Sequence, residues 1–295
     1  MNPWFRGVLI ALLGLAGSAG FVLTIFNLLM APDSNPVGLG FFLLYLVVGI
    51  GLFRISPAWP KFSGTSVWWV VSCLVWGGFV CLPLLMFTAD AWTSIAEKTN
   101  SELFAFSFAG AYPEEALKGL GTLLILCSFR SLNRPWHGFV TGGLVGLGFE
   151  TVENLGYGAI GGMFDPNSDV TGALHMWGMR SMAGPGLHLM FTSFVGLGLG
   201  LALLTAGASM GWRIRAALSF WVLAFCCHFT WNIDWGGGTT ETVAYVSLGI
   251  AFVVFFFYLY WRYWKAARAD QEAGAHITVN RQLGTLEEAL AYQTN

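Results

Sequence analysis

The chain has 295 residues, of which 56% are hydrophobic and only 10% charged, with a mean hydropathy of +0.64. That composition excludes a soluble enzyme and reads as a polytopic, all-α membrane bundle. A net charge of −2 and the lack of any basic run point away from nucleic acid.

Taken in order, the apolar segments predict about eight transmembrane helices: Phe5–Ala31, Val37–Ile55, Ser66–Phe87, Ala109–Phe129, Trp136–Gly162, Trp177–Ala206, Ile214–Ile233 and Val243–Trp264. The start resembles a signal peptide, with Arg6 and a small-residue stretch Ala16-Gly17-Ser18-Ala19. The apolar run continues to Met30, which favours an uncleaved first span. Arg6, Arg54, Lys61, Arg130, Arg134, Arg213, Arg215, Arg262, Lys265, Arg268 and Arg281 all fall on one side of this arrangement. By the positive-inside rule that side is cytoplasmic, both termini lie there, and the number of spans is even. Tryptophans such as Trp59, Trp136, Trp177, Trp212 and Trp264 sit near span ends, as an aromatic belt requires. Residues 1–265 therefore form one integral-membrane helical domain and 266–295 a cytoplasmic tail, with a capping box at Thr285 and Glu288. All five cysteines (Cys73, Cys81, Cys127, Cys226, Cys227) fall within predicted helices and read as reduced packing residues rather than a disulfide framework.

Away from span ends, ionisable groups are confined to the fourth to seventh spans, roughly residues 109–235. They are Glu114, Glu115, Lys118, Glu150, Glu153, Arg180, His188 and His228. A charge at the centre of a membrane helix costs about 2.5–3.5 kcal/mol even on insertion scales, so these residues mark function. At about 1.5 Å per residue they gather at comparable depth, at or above the midplane on the outer side. Glu150, Glu153, Asn154 and Tyr157 share one helical face, continued by Gly146 and Gly142. Arg180, Gly184, His188, Thr192, Gly196 and Gly200 follow one another at steps of four. His228, Trp231 and Asn232 share another face. Glu114 and Glu115 point about 100° apart and cannot do the same job, and Lys118 is in reach of either. His137 and the loop residue His175 read as bystanders.

Four carboxylates against Lys118 and Arg180 leave a negative excess that must be met by protons or by a cation. Such a set suits water activation and attack on a peptide bond. In a metal-assisted version, His188, His228 and one or both of Glu150 and Glu153 ligate zinc, with Glu115 or Glu114 as general base. In a metal-free version, a glutamate paired with His188 deprotonates the water, and Asn154, Asn232 or His228 stabilises the oxyanion. The residues leave both versions open. The sequence has no His-Glu-x-x-His pair, no intramembrane aspartate and no Gly-x-Ser-Gly serine, so a protease here is glutamate-based.

The motifs Glu114-Glu115-Ala-Leu-Lys118, Phe149-Glu150-Thr-Val-Glu153-Asn154, Arg180 before His188, and His228-x-x-x-Asn232 occur in this order. That set resembles the PrsW family of intramembrane proteases. The resemblance implies a multi-pass peptidase of the cell membrane that cuts a single-pass, anti-sigma-factor-like substrate near the extracytoplasmic face. It also implies kinship with the CAAX prenyl proteases and the multi-pass scaffold subunit of γ-secretase. Two other readings compete: a proton- or cation-coupled transporter, since intramembrane carboxylates and histidines also build relays, and a non-catalytic membrane scaffold. The transporter is disfavoured by the lack of an internal repeat and by a polar cluster biased to one leaflet.

Overall fold

In the computed structural model, which describes residues 3–61, 67–86 and 88–273, every regular element is helical. The helices are α1 (Pro3–Met30), α2 (Asn35–Arg54), α3 (Val67–Met86), α4 (Ala89–Lys98), α5 (Ala105–Ser128), α6 (Pro135–Phe164), α7 (Asp169–Ala183), α8 (Leu187–Leu204), α9 (Met210–Trp231) and α10 (Gly238–Ala273). Among the described residues, six of these (α1, α2, α3, α8, α9 and α10) are long and apolar enough to cross a membrane by length and composition. The two that carry the glutamates, α5 and α6, have 24 and 30 residues. The capping box expected at Thr285 and Glu288 lies outside the described residues.

Helix α6 is the axis of the bundle and packs against α1, α2, α3, α5, α7 and α8. Its closest partner is α8, because glycines let the two backbones touch. A Cβ on Gly138, Gly142 or Gly146 would sit 2.1, 2.2 and 2.1 Å from the carbonyl oxygens of Gly196, Thr192 and His188. Small residues at four-residue spacing are the usual device for close helix pairing where no hydrophobic effect drives association. The same spacing continues one turn further to Glu150, so the seam delivers that carboxylate to the start of α8. Outward faces of α1, α2 and α10 keep large apolar side chains such as Leu29, Val47 and Val254 exposed, as contact with lipid requires.

Two expected spans are interrupted. The run predicted as one helix from Trp177 to Ala206 breaks at Gly184-Pro185-Gly186: α7 ends at Ala183 and α8 begins at Leu187. Pro185 has no N–H to donate and Gly186 adopts φ +76°, a left-handed conformation that costs little without a Cβ. Arg180 and His188 therefore do not lie on one continuous helical stripe; they reach the same place from two helices. Within α3 a π turn at Trp76–Val80 sets Gly77 and Gly78 against α6, and Trp76 Nε1 donates to Leu117 O at 3.0 Å. Helix α4, read in sequence as a loop, is amphipathic, and His175 lies exposed on α7 rather than in a loop.

The basic end of the bundle is tied together. Arg134 Nε bonds Asp270 Oδ2 at 2.9 Å, Gln271 Nε2 donates to Pro57 O at 2.8 Å, and Tyr260 Oη donates to Leu52 O at 2.6 Å. His137 belongs to this end, its Nδ1 accepting from the backbone N–H of Asn133 and Arg134 and so closing the start of α6. All five cysteines are unbridged.

Candidate active site

Helix α5 presents Glu114, Glu115 and Lys118 to the axis. Lys118 and Glu115 are fully buried and Glu114 nearly so. The Lys118 ammonium lies 2.7 Å from Glu115 Oε1, 3.4 Å from Glu114 Oε2 and 3.0 Å from His188 Nδ1, and 4.5 Å over the Phe149 ring. It is the cation around which this half of the site is assembled. A buried charge persists only when paired and hydrogen-bonded on this scale.

The two histidines are oriented by partners that fix their tautomers. Lys118 has only donors, so His188 Nδ1 accepts, and its Nε2–H donates to Glu153 Oε2 at 3.1 Å. Glu115 Oε1 accepts from His228 Nδ1 at 3.0 Å, which leaves the His228 Nε2 lone pair facing Glu114 Oε2 at 3.8 Å. The rings meet edge to face, with centroids 5.1 Å apart. Glu153 is held in turn by Arg180, whose guanidinium also bonds Asn154 and lies 4.1 Å over the Tyr157 ring.

Glu150 goes elsewhere. Its oxygens accept from the backbone N–H of Gly186 at 3.1 Å and of His188 at 2.8 Å, so it caps α8 at the helix end where a negative charge is favoured. Both Glu150 oxygens are thus committed to the backbone, and among the described residues the donors close enough together to share a metal ion are those of Glu114, His188 and His228. Glu153 likewise sits between Arg180 and His188. Asn154 is turned to Arg180 through Oδ1, and its buried Nδ2 finds no partner among the described residues.

Gly110, one turn before Glu114 on α5, completes the site and was not legible in the sequence. A Cβ there would lie 2.9 Å from Asn232 Nδ2, 3.2 Å from Glu114 Oε1 and 3.9 Å from His228 Nε2. A hydrogen at this position lets a carboxylate, an amide donor and an unprotonated imidazole nitrogen face one stretch of bare backbone. The four-residue spacing from Glu114 was the only signal in the sequence. The other oxygen of Glu114 faces Lys118 and the two histidines.

Glu114, His188 and His228 each offer a ligand atom within 4.8 Å of the other two, all three side chains being buried. One carboxylate and two imidazoles match the donor set of catalytic zinc sites, and the Glu115 bond to His228 is the kind of outer contact that orients such a ligand. The residues fit a metal ion in type and spacing, and a metal bound through His188 Nδ1 would take that lone pair from Lys118. Beside the site a cleft of about 250 Å³ opens between α1 and α6, lined by Thr24, Asn27, Leu82, Val152, Glu153 and Tyr157.

Helices long and apolar enough to cross a membrane, with acids and bases buried between them, define a multi-pass membrane protein. The family model of the PrsW family intramembrane metalloproteases matches residues 65–261, and the chain belongs to that family. It is a peptide-bond hydrolase acting on a membrane-embedded protein. No curated protein and no solved structure matches the chain. Family membership favours the peptidase over the transporter and scaffold readings.

Proposed function

We propose that the protein cleaves a single-pass, anti-sigma-factor-like membrane protein near the extracytoplasmic face of the cell membrane, with eight spans and both termini in the cytoplasm. Glu114 Oε1 takes a proton from water at the Gly110 niche as the oxygen attacks the peptide carbonyl carbon. Asn232 Nδ2 donates to the developing oxyanion. The amine leaves as the C–N bond breaks, carrying the proton that Glu114 received. Glu115 keeps His228 in the tautomer whose Nε2 faces the niche. Lys118 restrains the glutamate pair and His188, while Arg180 holds Glu153 and Asn154. The cleft between α1 and α6 offers an extended substrate segment a lateral path to Glu153 and the niche.

Where a metal serves, Glu114, His188 and His228 would hold it. Zinc is the ion we assign, since it would polarise the carbonyl and lower the pKa of bound water. The observation that carries this reading is the convergence of Glu114 Oε1, Asn232 Nδ2 and His228 Nε2 on Gly110.

The test is cleavage of a single-pass substrate in proteoliposomes, with product masses and metal content measured on the same preparation. Glu114→Gln should end cleavage, and Asn232→Ala should slow it by about 10²–10³-fold. Full activity in Glu114→Gln would remove the reading. Near-stoichiometric zinc, lost in His228→Ala, supports the metal-assisted version; active, zinc-free protein selects the metal-free one.

A further inference from the structure

At the basic end of the bundle lies a cleft of about 690 Å³ between the segment after α2 and the last turns of α10, with none of the candidate active-site side chains in its lining. Arg54, Lys61 and Arg268 line it together with Trp59, Trp264 and Gln271, and among the described residues no carboxylate does. Among the described residues, neither Arg54 nor Lys61 is taken up by an ion pair. Arg268 has one partner, Glu272 at 2.9 Å, in a pair whose side chains are 70% and 66% exposed and so weakly bound. The walls are fixed: Gln271 is bonded to Pro57 O, Tyr260 to Leu52 O, and Trp59 packs edge-on against Trp69 at 4.9 Å between ring centroids. The Arg54 guanidinium stands 5.8 Å from the Trp59 ring centroid, so one wall is aromatic and cationic at once.

We propose that this cleft binds the phosphate of an anionic phospholipid headgroup. Phosphate is the ligand that guanidinium and ammonium groups in a carboxylate-free cleft recognise, through charge-assisted hydrogen bonds. The lipid, rather than free phosphate, is indicated by level: tryptophans at the ends of membrane helices sit among headgroups, and basic pockets there select anionic lipids. The volume falls in the range of small-molecule sites, large enough for a phosphoglycerol group. The inference rests on this cleft alone and is independent of the peptidase reading.

The experiment is native mass spectrometry of the full-length protein in detergent, titrated with dioleoylphosphatidylglycerol or dioleoylphosphatidylcholine. Wild type should retain one phosphatidylglycerol per chain in preference to phosphatidylcholine. Arg54→Gln with Arg268→Gln should weaken phosphatidylglycerol by about 25-fold, at roughly fivefold per cation. Arg54→Lys with Arg268→Lys should keep most of the affinity, and Arg215→Gln, an exposed cation outside the cleft, should keep all of it. Equal retention of both lipids, no change in the double glutamine variant, or an equal loss in Arg215→Gln would overturn the proposal. Displacement of the lipid by sn-glycerol 3-phosphate at matching concentration would assign the cleft to soluble phosphates and overturn it too.

Discussion

Glu115 Oε1 lies 3.0 Å from His228 Nδ1 and 2.7 Å from Lys118 Nζ, so this carboxylate oxygen is saturated by its neighbours while Glu114, one residue earlier, keeps an oxygen open to the Gly110 niche. Adjacent residues on a helix point about 100° apart, and in the proposed mechanism that angle separates an orienting carboxylate from a reacting one. Glu114→Gln should lower the cleavage rate by on the order of 10²–10⁴-fold, the usual worth of a general base. Glu115→Gln should lower it by about 10–100-fold, the usual loss when an orienting partner is removed. Single-turnover cleavage of a reconstituted substrate separates the two. Equal losses would mean that the pair acts as one unit.

Gly110→Ala places a methyl group against Asn232 Nδ2 and Glu114 Oε1, at the 2.9 and 3.2 Å read from the backbone. These side-chain ends must give by a few tenths of an ångström, so cleavage should fall by less than the ~10²-fold that a misplacement of about 1 Å costs. Thermal unfolding should be nearly unchanged, because alanine suits a helix at least as well as glycine does. A Gly110→Ala variant with the wild-type rate would move the reacting water away from this niche.

Lys118→Met keeps the length of a fully buried side chain and removes its charge. Glu115 would then sit in the core with only His228 for a partner. Breaking a buried pair in this way costs about 3–5 kcal/mol. The measurement is the unfolding midpoint in detergent, and wild-type stability would show that the ammonium is dispensable to the fold.

The seam between α6 and α8 makes a prediction that is independent of catalysis. Gly142→Ala drives a Cβ to 2.2 Å from Thr192 O, and overpacking of this kind costs about 1–3 kcal/mol. Gly156→Ala, on the same helix with nothing within 4 Å of the added methyl, should be neutral. Unfolding of the two variants side by side checks the contrast.

Much of this was readable from residue order. The structure brings Glu114, Glu115, Lys118, His188 and His228 within contact of one another, as a nearly constant helical rise led one to expect, and glycines recur at four-residue spacing on both sides of the α6–α8 seam. Three features escaped it. The break at Gly184-Pro185-Gly186 lay hidden in an otherwise apolar run. The cap that Glu150 places on α8 could not be read, because periodicity gives the face of a carboxylate but not the N–H groups it meets. Gly110 has no side chain to attract notice, and its importance lies in what stands opposite.

The sequence by itself determined that this is a helical membrane protein with ionisable groups confined to one stretch, since transfer energies and helical geometry act locally along the chain. Only the tertiary structure decided what each of those groups meets: which glutamate Lys118 and His228 hold, which one faces Asn232, and which one caps α8. Those assignments depend on distances of about 3 Å between helices far apart in the chain, where a shift of one bond length exchanges one partner for another.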